Sequence, residues 1–156
     1  MTEEQFMRRA IALSREGMEA RRGGPFGAVV VADGRIVAEG TNLVTSTNDP
    51  TAHAEMVAIR RACAALGRFD LRGAEIYTSC EPCPMCLAAI YWARLDRVTF
   101  ANDRADAARI GFDDAHIYEQ LGLAPHDRHV PTRRLLADEA LQAFEEWARD
   151  PALVRY

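Results

Sequence analysis

The chain contains no lysine; all 19 of its basic residues are arginine. That excludes Schiff-base chemistry and the phosphate-binding lysine of a P-loop. No apolar run approaches the roughly 18 residues that a membrane-spanning helix needs. There is no long basic run either, and the formal net charge is −4. Nucleic-acid surfaces carry clustered positive charge, so binding to nucleic acid is not expected. The pairs Arg21-Arg22, Arg60-Arg61 and Arg133-Arg134 read as solvated faces. The start, Met1-Thr2-Glu3-Glu4-Gln5, is acidic and polar, unlike a secretory signal, and a cytoplasmic protein is expected. Cysteine is scarce, with Cys63, Cys80, Cys83 and Cys86 only. Three of the four crowd into one short stretch, whereas a disulfide framework would spread them; a metal site fits better.

What is present describes one ordinary globular domain. The chain has 156 residues, 49% hydrophobic and 27% charged, enough to bury a core. Thr2 and Gln5 predict a capping box before a helix reaching about Ala20, with Met7, Ile11 and Met18 on its apolar period beside Phe6, Ala10 and Leu13. Gly23-Gly24-Pro25 ends it. Phe26 to Ala32 and Arg35 to Thr41 read as strands joined by a tight turn at Asp33-Gly34. Thr45 to Pro50 reads as a loop, and 51–66 as a helix closed by Gly67. Strands follow at 75–79 and 97–101, with helix over 83–93 and a short helical piece over 103–108. A helix near 115–121, a last strand over 130–136 and a helix capped by Asp138 complete the order. This alternation predicts an α/β fold, helices covering both faces of a mostly parallel sheet whose first hairpin is antiparallel.

The chemistry lies in a split pattern: His53-Ala54-Glu55, then Pro82-Cys83-Pro84-Met85-Cys86 about thirty residues on. A catalytic zinc keeps three protein ligands and a water whose pKa it lowers, and His53, Cys83 and Cys86 supply that count. Proline suits a helix start, which places the cysteines on a first helical turn; His53, after Pro50, stands at another. Helix N-termini favour thiolate over thiol. His53 and Glu55 are two apart, so one reaches the metal from the helix tip while the other approaches from the side. Glu55 is the proton carrier, general base and then general acid. Alternatives remain: Cys80 as a fourth ligand in a closed structural site, a Cys-x-x-Cys redox pair, or an iron–sulfur cluster using Cys63. A closed site would leave Glu55 without a role. His116, His126 and His129 have no ligand spacing among themselves.

These residues make the chain resemble the cytidine-deaminase-like superfamily. The resemblance rests on His53-Ala54-Glu55 and Thr78-Ser79-Cys80-Glu81-Pro82-Cys83-Pro84-Met85-Cys86. Within it, the small bacterial guanine deaminases are the most similar group. That likeness adds Gly24-Pro25-Phe26-Gly27-Ala28, Asn42, Asp49-Pro50-Thr51-Ala52, Ala89-Ile90-Tyr91-Trp92-Ala93-Arg94, Gly111-Phe112-Asp113-Asp114 and a chain ending in Tyr156. It covers essentially the whole chain. It implies a three-layer α-β-α sandwich with a five-stranded mixed sheet, one zinc ion per subunit, and a homodimer with the segment from about 122 to 156 exchanged. It also implies a small nucleobase as substrate. Asn42 and Asp114 would hydrogen-bond the purine edge, Phe26 would stack on the ring, Ala54 would line the pocket and Tyr156 would close it. Each has a plain structural reading too: Asp114 as a helix N-cap, Phe26 as core, Asn42 as a turn residue, Tyr156 as a frayed end. Rival activities are deamination of guanosine, cytosine, a triazine such as ammeline, or tRNA adenosine. From another class, a structural zinc module is the competitor.

Overall fold

A computed structural model describes all residues, Met1–Tyr156. They form two compact units, Met1–Asp114 and Ala115–Tyr156. The first contains helices α1 (Glu3–Glu19), α2 (Val44–Thr47), α3 (Ala54–Leu66), α4 (Pro84–Trp92) and α5 (Arg104–Arg109). Its strands are β1 (Gly27–Ala32), β2 (Arg35–Thr41), β3 (Ala74–Cys80) and β4 (Arg97–Asn102). The second unit carries α6 (Ala115–Leu121), a 3-10 turn at Pro125–Asp127 and α7 (Ala137–Arg149).

The sheet is mixed and has four strands in the order β2-β1-β3-β4. Asp33 and Gly34 both take positive φ, 49° and 69°, making the tight turn that closes the β1–β2 hairpin. β1 is antiparallel to both its neighbours, and β3 and β4 are parallel. The expected mostly parallel sheet is therefore corrected in an instructive way. β2, β3 and β4 do point the same way, as helical crossovers demand. β1 is inserted, reversed, between β2 and β3, so only one neighbouring pair is parallel.

The fifth strand is absent. Residues 130–136 form no ladder; they are exposed, and Pro131 has no N–H to give one. Thr132 bonds locally to the Val130 carbonyl, and Leu136 turns to φ 55°. The helix that follows begins at Ala137 with Leu136 at its N-cap position, so Asp138 lies in the first turn instead of capping it. The expected loop at 45–50 holds the short helix α2.

Alternation along β1 builds two cores. Ala28, Val30 and Ala32 pack with Ala54, Ala58, Ile76, Ile90 and Ala93 on the side of α3 and α4. Val29 and Val31 pack with Phe6, Leu13 and Tyr77 on the side of α1. Each fully buried valine is worth roughly 1.5–3 kcal/mol. The buried stripe of α1 is Phe6, Ala10, Leu13, Ser14 and Gly17; Ile11 and Met18, expected inside, are exposed. Helix therefore covers both sheet faces in this unit. On the active side the contact is close: a Cβ on Gly40 of β2 would sit 2.2 Å from the Ala54 carbonyl oxygen and 2.7 Å from the Ala58 nitrogen. Only glycine lets α3 settle this near the sheet.

Candidate metal centre and active site

Two helix starts converge. His53 has the extended backbone of an N-cap (φ −65°, ψ 156°) at the head of α3, and Cys83 the same (φ −66°, ψ 168°) at the head of α4. Pro84 occupies the first position of α4, where its missing N–H costs nothing. One turn on, Cys86 is fully buried. The His53 Nδ1 lies 3.5 Å from Cys83 Sγ and 3.6 Å from Cys86 Sγ. With zinc bonds of about 2.0–2.1 Å to nitrogen and 2.3 Å to sulfur, a tetrahedral centre places its N and S ligands about 3.5 Å apart. The donor set thus fits the metal: all three ligand atoms lie within 4.8 Å of one another, and Cys80 is not in the group. Instead, the Cys80 thiol turns toward the Asp103 carbonyl, 3.8 Å away. The fourth-ligand alternative loses its fourth ligand, and three protein donors leave an open position, as a catalytic zinc requires.

The electrostatics match. Hydrogen bonds from the Cys86 thiol and from His53 pull the Cys83 thiol down to about 4. Cys86, donating a hydrogen bond to Cys83 and facing Glu55, is pushed up. His53 is raised chiefly by its bond to Cys83. One sulfur is already an anion and the other shares a proton that a divalent cation would displace.

Glu55 follows His53 by two residues and is only 6% exposed. Burial raises its pKa. Its Oε2 lies 3.4 Å from Cys86 Sγ, and its Oε1 accepts from the Thr78 hydroxyl at 3.2 Å. His53 thus stands at the tip of α3 and the Glu55 carboxylate beside Cys86. Ala54, the first residue of α3, is fully buried, and no side chain caps this helix.

Phe26, just before β1, and Asn42, just after β2, are joined through the backbone. The Asn42 N–H donates to the Phe26 carbonyl at 3.2 Å, and Asn42 Oδ1 accepts from the Val44 N–H at 3.1 Å. With its oxygen so used, the Asn42 amide keeps its two N–H donors for a ligand. Asp114, half-buried, is raised by burial and by the nearby negative charges of Cys83 and Glu81, opposed by Arg104. Tyr156 belongs to the second unit and is 73% exposed.

Several residues gained no role from the sequence. Gly23, read as a helix breaker, makes room for Asn42: a Cβ there would lie 2.2 Å from Asn42 Oδ1 and 2.5 Å from its carbonyl oxygen. Phe112 meets the Phe26 ring edge-on at 4.9 Å and fixes its tilt. Thr78 was visible inside the cysteine motif, but only the fold brings it to Glu55.

A zinc triad with a buried carboxylate at its side, on an α/β scaffold, defines a class. Residues 1–102 match the cytidine and deoxycytidylate deaminase zinc-binding region, and the chain belongs to that family. It is a hydrolytic deaminase that acts on cyclic amidines, with one zinc ion per subunit. The chain is 52% identical over 147 residues to a guanine deaminase of Bacillus subtilis (strain 168), covering 94% of each. An X-ray structure of guanine deaminase from Bacillus subtilis matches 100% of this chain and 99% of its own, with a TM-score of 0.97 at 49% identity. A tRNA-specific adenosine deaminase of Agrobacterium fabrum is 49% identical over 88 residues, which is 53% of this chain and 58% of that one.

Proposed function

We propose that this chain catalyses the hydrolytic deamination of guanine to xanthine and ammonia. The observation that carries the reaction type is the buried Glu55 carboxylate 3.4 Å from a metal-binding cysteine. The substrate follows from likeness to guanine deaminase along the whole chain, where the likeness to a tRNA deaminase spans about half of it. The formal charge of −4 also disfavours a folded RNA.

Zinc held by His53, Cys83 and Cys86 supplies Lewis acidity and a water of lowered pKa. The remainder is work for this chain's residues. Glu55 takes a proton from the attacking water and passes it to the ring nitrogen beside the carbon under attack. It then takes the proton of the newly added hydroxyl and passes it to the amine, so that the carbonyl forms as the carbon–nitrogen bond breaks and ammonia leaves. The Asn42 amide donates to an acceptor on the purine edge, and Asp114 accepts from its N–H groups. A base lacking those groups would leave a carboxylate unpaired, a strong basis for discrimination. Phe26, braced by Phe112, stacks on the ring.

A cytoplasmic homodimer that exchanges the segment from about 122 to 156 is part of the same reading. It is supported by the apolar surface of the second unit, where Leu135, Leu136, Leu141 and Phe144 are exposed, Phe144 by 74%. No helix is long and apolar enough to cross a membrane. Sedimentation equilibrium tests the dimer; a chain-mass monomer at micromolar concentration would overturn it. The activity is tested by ammonia release from guanine, guanosine, cytosine, adenine and ammeline with zinc-loaded protein. Guanine should dominate; preference for another substrate would discard the roles of Asn42 and Asp114.

A further inference from the structure

The carboxylate of Glu55 has two oxygens with different neighbours. Oε2 faces the metal-binding sulfur of Cys86 at 3.4 Å. Oε1 faces away from it, toward the hydroxyl of Thr78 at 3.2 Å. Thr78 lies in the middle of β3 and is 1% exposed. Strand alternation puts it on the same face as Ile76, which packs under α3 with Ala54 and Ala58. The β-branched side chain has few rotamers open to it there. Its hydroxyl also reaches the Cys80 carbonyl at 3.0 Å. The strand that delivers the cysteines to the metal therefore also delivers a hydroxyl to the carboxylate.

We propose that Thr78 is a positioning residue for Glu55: it anchors Oε1 and so leaves Oε2, on the metal side, as the oxygen that moves protons. The proposal rests on Glu55 being the proton carrier. A hydroxyl has one proton and two lone pairs. While Glu55 is a carboxylate, Thr78 donates to Oε1. With the mobile proton on Oε2, Oε1 remains an acceptor, so Thr78 donates to it whether or not Oε2 carries a proton. One side chain thus holds Glu55 in both halves of the cycle. An unanchored carboxylate rotates, and misplacement of a reacting group by about an ångström can cost on the order of a hundredfold in rate.

The test compares wild type with Thr78→Val, which keeps the shape and removes the hydroxyl, and Thr78→Ser, which keeps the hydroxyl. Turnover of guanine, zinc content and melting temperature are measured together. Thr78→Val should lose roughly 10- to 100-fold in kcat, with KM within about twofold and one zinc per chain, and Thr78→Ser should recover most of the loss. A zinc-replete Thr78→Val enzyme with wild-type kcat would overturn the proposal. So would a Thr78→Ser enzyme as slow as Thr78→Val. If Thr78→Val fails to fold or sheds zinc, Thr78→Ala replaces it, and equal kcat for the alanine and serine variants overturns the proposal. Failure of the wild-type protein to release ammonia from guanine would instead count against the underlying activity.

Discussion

Apart from the short α2, the helix starts of the first unit come in two kinds. α1 and α5 open on reciprocal capping boxes, Thr2 with Gln5 and Asp103 with Asp106, each side chain answering the other's backbone N–H. α3 and α4 open on His53 and Cys83, which have cap-like backbone angles and carbonyls that accept from Val57 and Leu87, but whose side chains make no capping hydrogen bond. A missing cap costs about 1 kcal/mol. At the second pair the backbone is set for a cap while the side chains meet each other, His53 Nδ1 lying 3.5 Å from Cys83 Sγ. The helix N–H groups left over put positive potential beside a thiolate and an incoming ligand. Stability is served at one pair of starts and chemistry at the other.

The sharpest way to break this contrast is Cys83→Ser, because serine is a good N-cap. Zinc should fall below one per chain and ammonia release should vanish. In chelator, by contrast, the variant should melt about 2–4 °C above wild type, corresponding to roughly 1 kcal/mol of restored capping. An unchanged melting temperature in chelator would show that α4 forgoes nothing. Glu55→Gln comes next: kcat should drop by about 10²- to 10⁴-fold with zinc retained, checked by metal analysis of the assayed sample. A zinc-replete variant with normal turnover would remove Glu55 from the reaction.

Gly23→Ala probes the setting of Asn42. The added methyl meets Asn42 backbone as well as side chain, so relief requires Asn42 to move. KM for guanine should rise about tenfold, the equivalent of one net hydrogen bond, with zinc content intact. The smallest effect belongs to the ordinary caps. Thr2→Ala should cost about 1 kcal/mol in urea unfolding and leave kcat unchanged; a fall in kcat would mean the two kinds of start are not separable.

Legibility in the sequence followed the range over which each feature acts. His53, Cys83 and Cys86 could be grouped because metal spacing and proline-marked helix starts are local signals, and the fold does bring them within 4.8 Å of one another. The hairpin at Asp33-Gly34 and the closing Gly67 were readable for the same reason. Strand neighbours were not. Alternation gave the direction of β2, β3 and β4, but nothing local says that β1 lies between β2 and β3. Residues 130–136 have strand composition without a ladder, because pairing depends on a partner and Pro131 withholds a donor. Thr78, Gly23 and Phe112 stood in the motifs without a role, because their meaning lies in contacts across the chain.

Gly40 carries that last point furthest. It offers no functional group at all, yet a single methyl there would strike the carbonyl of Ala54, the residue between His53 and Glu55. Relief would lift α3 from the sheet and draw the histidine and the carboxylate away from cysteines that ride on a different helix. A library randomised at this codon and selected for growth on guanine nitrogen should return glycine almost alone. On such a map the position would be indistinguishable from a metal ligand, although its contribution is an empty volume.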